Sequence, residues 1–179
     1  MSNFGENKED LKNKKSLIIY FSRADENYFG GTLKYIEKGN TEIVAGYIHE
    51  LTGADMFKVE RKIPYSRDYK TCIEESKKEN NEDARPEIAH CLNNIDEYEV
   101  IYIGSPIYWG SMPAELFTAL KEVDFTGKTI RVFTTHEGSG LGNVLEDVKK
   151  ICSGAEVLDG LAIVGSQVKN SKQKVEDWI

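Results

Sequence analysis

The stretch "YFSRADENYFGGTLKYIEKGNTEIVA", residues 20–45, decides how this chain is read. It opens as the end of an apolar run, "SLIIYF" at 16–21. It closes as the start of an amphipathic helix, with Val44, Tyr47, Ile48 and Leu51 at i, i+3, i+4 and i+7. A strand that passes into a helix through Ser, Gly, Asn and Thr is suited to hold an anion, because the first amides of a helix lack intrahelical acceptors. Here that turn is stretched by a glycine- and tyrosine-bearing excursion over 23–38.

Outward from this stretch the same alternation continues. "VIYIGSP" (100–106) is continuous and apolar, as expected for a strand covered on both faces. "TIRVFTT" (129–135) and "VLDGLAIVG" (157–165) are weaker strands bounded by Gly and charges, and "DMFKVE" (55–60) alternates like a strand nearer an edge. Leu116, Phe117, Leu120 and Val123 form a helical stripe, as do Leu141, Val144, Leu145 and Val148, and Val175, Trp178 and Ile179 suit a last docked helix. Ser111 before Pro113 marks a helix start. Segment 61–99 is longer than a crossover needs; it predicts a charged helix around 67–81 and, after Arg85-Pro86, a helix-like stripe of Ile88, Leu92 and Ile95. The pattern is α/β, with a parallel sheet between helices. In such a sheet ligands bind beyond the carboxyl ends of the strands, so the loops after 21, 104 and 134 are the ones to interrogate.

Each of these loops has its own chemistry. In the first, Gly39 permits a tight turn, Asn40 and Thr41 stand beside the helix amides, and Ser22 and Arg23 offer a hydroxyl and a forked cation. Helix capping alone would also account for Asn40 or Thr41. The second, "GSPIYWGSMP" (104–113), sets Tyr108 and Trp109 beside Gly110, where aromatics can stack on a flat ring; one of the two is expected only to pack under the loop. The third, "TTHEGSGLGN" (134–143), offers backbone groups to the polar edge of such a ring. Its glycines do not make a dinucleotide fingerprint, since Asn143 ends the run and the strand is the fourth. His136 beside Glu137 reads either as a proton relay or as a solvated loop.

Composition narrows the function. The 179 residues suit one domain over 15–179 after a loose polar arm over 1–14, with 40% hydrophobic and 30% charged residues. A net charge of −7 argues against a nucleic-acid or anionic-membrane surface and favours basic partners or plain solubility. Cys72, Cys91 and Cys152 are odd in number and lack ligand spacing, as do the three histidines, so a reducing, cytoplasmic setting and no metal site are expected. No apolar run approaches a membrane span.

Together the three loops resemble the flavodoxin-like family, over roughly residues 16–178 and in the right order. "YFS…GNT" is similar to its FMN phosphate loop, "GSPIYWGSMP" to its second loop with an aromatic against the isoalloxazine, and "TTHEGSGLG" to its third, which edges the ring. The resemblance implies a three-layer α/β/α sandwich around a five-stranded parallel sheet of order 2-1-3-4-5, with FMN as cofactor. It assigns the cofactor contacts to Ser22, Arg23, Gly39, Asn40 and Thr41, to Ser105, Pro106, Ile107, Tyr108, Trp109 and Gly110, and to Thr135, His136, Glu137, Gly138 and Gly140. It implies no separate catalytic residue. Most flavodoxins place only a residue or two between Ser or Thr and "GNT"; the insert here is similar to a divergent branch, and leaves open which of Ser22, Arg23, Asn40 and Thr41 meets phosphate. Its Tyr28, Phe29 and Tyr35 either cover the flavin or pack within the loop.

Low-potential electron transfer to a redox partner protein with a basic docking surface is the leading expectation. An NAD(P)H-dependent FMN oxidoreductase acting on a quinone or flavin is the alternative, favoured by the extra cover that the insert and 61–99 supply. A flavin-free binding module of the same fold is the third.

Overall fold

The continuous apolar runs become the centre of a parallel sheet because both of their faces are buried. The computed structural model describes residues 8–179. Strand β1 (Ser16–Tyr20) lies between β4 (Asp55–Lys58) and β5 (Val100–Pro106), and β5 pairs in turn with β6 (Thr129–His136), all in parallel. Along β1 the side chains alternate between two cores. Leu17 and Ile19 meet Leu116 and Leu120 of α4 (Ala114–Lys121) and Val144 and Val148 of α5 (Val144–Ile151). Ile18 and Tyr20 face Val44 and Ile48 of α2 (Asn40–Thr52) and Val175 of α6 (Lys172–Trp178). The result is the expected three-layer sandwich.

The fifth strand position is occupied by two short strands, β7 (Glu156–Val157) and β8 (Leu161–Val164), which pair with successive halves of β6. The single run expected over 157–165 is broken at 158–160, where Gly160 packs closely on the approach to α5; a Cβ there would sit 2.9 Å from a Leu141 methyl. Strand order in the sheet is therefore 2-1-3-4-5, with the last place divided.

Three expectations change. Residues 1–7 of the arm expected over 1–14 lie outside the described residues, but Lys8–Lys12 forms a short helix, α1, whose Leu11 is buried beside Ile48 and Ile179. The excursion after Ser22 is an antiparallel hairpin, β2 (Asp25–Phe29) with β3 (Thr32–Ile36), closed by Gly30 and Gly31 at φ +60° and +93°. Within 61–99 the charged helix forms as α3 (Tyr69–Glu82), capped by Asp68, but the Ile88, Leu92, Ile95 stripe is not helical. Its backbone is used otherwise: Lys62 N–H donates to Glu87 O and Ala89 N–H to Glu60 O, and the chain beyond runs irregularly to Ile95, which is buried in the core. Among the described residues no helix is long and apolar enough to cross a membrane, and no His/Cys/Asp/Glu group is placed to hold a metal.

Leu11→Ala is expected to cost about 2–5 kcal/mol of stability, the price of a vacated core site. Urea unfolding measures it; an unchanged midpoint would restore the reading of 8–14 as a loose arm.

Candidate cofactor site

The site begins where β1 hands over to α2. The helix starts after Gly39, whose own position offers no side-chain cap, and the cap comes instead from across the turn: Glu42 N–H donates to Ser22 Oγ at 3.0 Å. A Cβ at Gly39 would lie 2.1 Å from Ser22 Oγ and 2.7 Å from the Arg23 carbonyl oxygen, so only glycine permits this closure. The amides of Asn40 and Thr41, in the same first turn, have no intrahelical acceptor. Thr41 and Thr135 share a hydroxyl–hydroxyl hydrogen bond of 2.7 Å, which joins the first loop to the third. The corner thus presents amides and hydroxyls to an anion at the positive end of a 13-residue helix.

A cavity of about 360 Å³ opens from this corner. Ser22, Arg23, Asn40 and Thr41 form one side, Pro106, Ile107 and Tyr108 a second, and Thr135, His136 and Glu137 a third. Ten of the residues expected from sequence are therefore brought together. Gly39, Ser105, Trp109, Gly110, Gly138 and Gly140 are not on its wall. They shape it from behind: the Ser105 hydroxyl donates to the Pro106 carbonyl, Thr134 to the Gly140 carbonyl, and the Gly110 carbonyl accepts Asn143 N–H at 2.7 Å, tying the second loop to the start of α5. The roof comes from Asn27, Tyr28 and Ile36 of the hairpin and Tyr69 of α3, with Ser139 and Gly165 completing the rim. Asn27, Ile36, Ser139 and Gly165 are not among the residues expected from sequence. The Gly-Gly pair between "DENYF" and "TLKYI" is the hairpin signal that would have placed the first two.

Two expected contacts take different roles. The Arg23 guanidinium does not point its fork at the anion corner; it donates to the carbonyls of Glu26, Ser66 and Arg67, sewing the hairpin base to the segment before α3. Trp109 sits in a tight turn with Gly110, both at positive φ (+51° and +83°), closed by reciprocal bonds between Tyr108 and Ser111. An aromatic residue in that region costs about 1–3 kcal/mol, and strain of this kind collects at functional sites. Its indole N–H donates to Ser76 Oγ of α3 at 3.0 Å, and its ring remains 46% exposed. There it walls a recess of about 240 Å³ that shares Arg23, Asn27, Tyr69, Ile107 and Tyr108 with the main cavity. Tyr108 packs edge-on against Phe21 (6.0 Å between centroids) and at a tilt against Tyr65 (5.9 Å), and burial drives its hydroxyl pKa well above the usual range. Tyr108 thus both packs beneath the loop and lines the cavity, whereas Trp109 faces the adjoining recess.

His136 accepts Gly138 N–H on Nδ1, and burial lowers its pKa from the ordinary value, which favours the neutral ring. It is a loop-shaping acceptor rather than a charged partner.

Beneath the second loop lies a polar cluster that sequence reading did not detect. Arg61 forks onto Glu79 at 2.6 and 2.9 Å, stands 3.6 Å from Glu115, and stacks on Tyr65, whose hydroxyl bonds Glu79 at 2.6 Å. Burial opposes the Arg61 charge, but the Glu79 bonds hold its pKa above the ordinary range. Glu115 is fully buried with Oε1 unpartnered among the described residues, and burial pushes its carboxyl up to about 7. Because the folded pKa is raised, this group's contribution is fully present below the ordinary 4.5 and is lost as pH rises through about 7. Glu115→Gln should therefore gain stability relative to the parent as pH climbs from 4.5 to 8, read as paired urea curves; parallel pH profiles would contradict the assignment. Ser22→Ala should cost about 1 kcal/mol through loss of the cap on α2, measured the same way.

The comparisons with known proteins agree with this fold. The sequence profile of a family described as Flavodoxin matches residues 32–179. A Bacteroides eggerthii protein classed as a flavoprotein is similar at 25% identity, over 92% of this chain and 99% of that one, with a TM-score of 0.69. A Bacteroides uniformis counterpart gives 24% identity over the same shares and a TM-score of 0.70. A Lactobacillus acidophilus flavoprotein solved in complex with FMN is similar in fold at 21% identity, over 88% of this chain and 97% of that one, with a TM-score of 0.59. No curated protein matches the sequence.

Proposed function

From the premise that the chain belongs to the flavodoxin family, we propose that it is an FMN-binding redox protein whose main role is low-potential electron transfer. The observation that carries this reading is the convergence of all three strand-end loops on one cavity that has an anion corner at the start of α2. The residues fit the group. The Asn40 and Thr41 amides and the Ser22 and Thr41 hydroxyls suit a phosphate without a lysine. The recess beyond Ile107 and Tyr108 gives a flat ring an apolar extension toward Trp109. When bound, FMN supplies the electron chemistry. The chain's part is to hold the phosphate with amides and hydroxyls, to exclude water with the hairpin and Tyr69, and to set the potential through its charge. A net charge of −7 disfavours adding negative charge to the ring, which lowers the potential, and suits docking to a basic partner protein in the cytoplasm.

The roof supports a second reading, an NAD(P)H-dependent FMN oxidoreductase. Asn27, Tyr28, Ile36 and Tyr69 cover the cavity instead of leaving its edge open, and the adjoining recess is large enough for part of a second planar molecule.

An anaerobic reductive titration of the FMN-loaded protein separates the two. Electrons taken up one at a time, in two resolved spectral steps, support the carrier. A single two-electron step with reduction by NAD(P)H supports the enzyme, and protein that binds no FMN removes both. Trp109→Ala is expected to weaken FMN binding by about 0.5–1.5 kcal/mol, the worth of an aromatic contact, and to shift the potential. Fluorescence titration and redox potentiometry check this; unchanged values would take Trp109 out of the site.

A further inference from the structure

Among the described residues that line the cavity, Glu137 is the only acidic side chain. Its carboxylate has neighbours on two sides. One carboxylate oxygen accepts the Gly30 N–H from the tip of the β2–β3 hairpin at 3.3 Å. The other crowds Gly165 together with the Asn40 side chain: a Cβ at Gly165 would lie 2.6 Å from Glu137 Oε1 and 2.6 Å from Asn40 Nδ2. The carboxylate therefore stands beside the residue that opens α2, at the anion corner itself. Arg23 keeps its charge on the cavity wall, but its fork is turned to three backbone carbonyls and not to the corner. The amide-and-hydroxyl corner for a phosphate thus has a carboxylate beside it and no cation hydrogen-bonded to it among the described residues.

We propose that Glu137 is a specificity-determining residue that works against the cofactor's phosphate. It latches the hairpin roof through Gly30 and, by its charge, opposes a phosphate dianion at the Asn40–Thr41 corner. The consequence is a cofactor held loosely at its phosphate end, and a smaller preference for FMN over its unphosphorylated form, riboflavin, than the corner's hydrogen bonds alone would give. This inference rests on the reading that FMN occupies this cavity. Glu137 is exposed, so its charge is partly screened, and its replacement leaves no hole in the core.

The test is a pair of fluorescence titrations of the apoprotein, one with FMN and one with riboflavin, on the parent and on Glu137→Gln. The amide keeps the shape and an oxygen for Gly30 N–H while removing the charge. Two charges on the phosphate a few ångströms from one on the carboxylate predict FMN binding tighter by on the order of threefold to tenfold in the variant at low salt. Riboflavin binding should be unchanged, and the FMN gain should shrink as salt is added. If Glu137→Gln binds FMN equally or more weakly, the carboxylate is a contact for the ligand and the proposal is overturned. If both flavins tighten together, the effect comes from the hairpin and not from charge, which also overturns it. A parent protein that binds neither flavin overturns the proposed function and this inference with it. A parent that binds both, with no FMN-specific gain in the variant, overturns this inference alone.

Discussion

The contact between the end of β1 and the start of α2 is the constraint on which the rest depends. Ser22 and Gly39 are separated by the insert yet touch, with Ser22 Oγ capping Glu42 N–H across a glycine that admits no side chain. Two chain ends held together force whatever lies between them to leave and return side by side. That is why residues 23–38 form a hairpin, and why the hairpin emerges directly over the carboxyl end of the sheet. An insertion placed in the phosphate loop of such a fold becomes a roof without disturbing the loop itself.

The roof is then fastened by elements that have no role in the sheet. Arg23 bonds the carbonyls of Ser66 and Arg67, Glu26 accepts Tyr69 N–H at 3.1 Å, and Gly30 reaches the third loop at Glu137. Below, the second loop is propped by the Phe21, Tyr65 and Tyr108 rings and by the buried Arg61–Glu79–Glu115 cluster. Segment 61–99 supplies part of both supports, which gives its length a purpose: Arg61 and Tyr65 prop from beneath, Tyr69 covers from above, and Ser76 fixes Trp109. Breaking a buried charged cluster of this kind leaves an unpaired charge, so it acts more as a specifier of the loop's position than as a source of net stability.

Much of this was legible in the sequence. The runs at 16–21, 100–106 and 129–135 read directly as buried parallel strands because burial on both faces demands continuous apolar residues. The three loops could be located from topology alone, and ten of the contacts expected in them meet at the cavity. What could not be read were choices made by tertiary contacts. Ile88, Leu92 and Ile95 have helical spacing, but the backbone around Ile88 pairs with residues 60–62 and the stretch after it is irregular. Arg23 is the kind of residue that binds phosphate, yet three carbonyls brought near it by the hairpin and the 66–67 turn claimed it first. Glu115 sits on the helical stripe of α4 as an ordinary first-turn acid, and only the fold shows it to be fully buried against Arg61. Trp109, by its place in the second loop, suits a ring face, while a hydroxyl on α3 and a positive φ turn it toward the adjoining recess.

The central claim is that the start of α2 is the phosphate end of a flavin site. The most direct measurement is a proton–nitrogen correlation spectrum of the labelled apoprotein during titration with FMN and, separately, with riboflavin. The account predicts that the Asn40 and Thr41 amides move strongly with FMN and little with riboflavin, while residues around Ile107 and Tyr108 respond to both. Saturable FMN binding that leaves the Asn40 and Thr41 amides in place would contradict it.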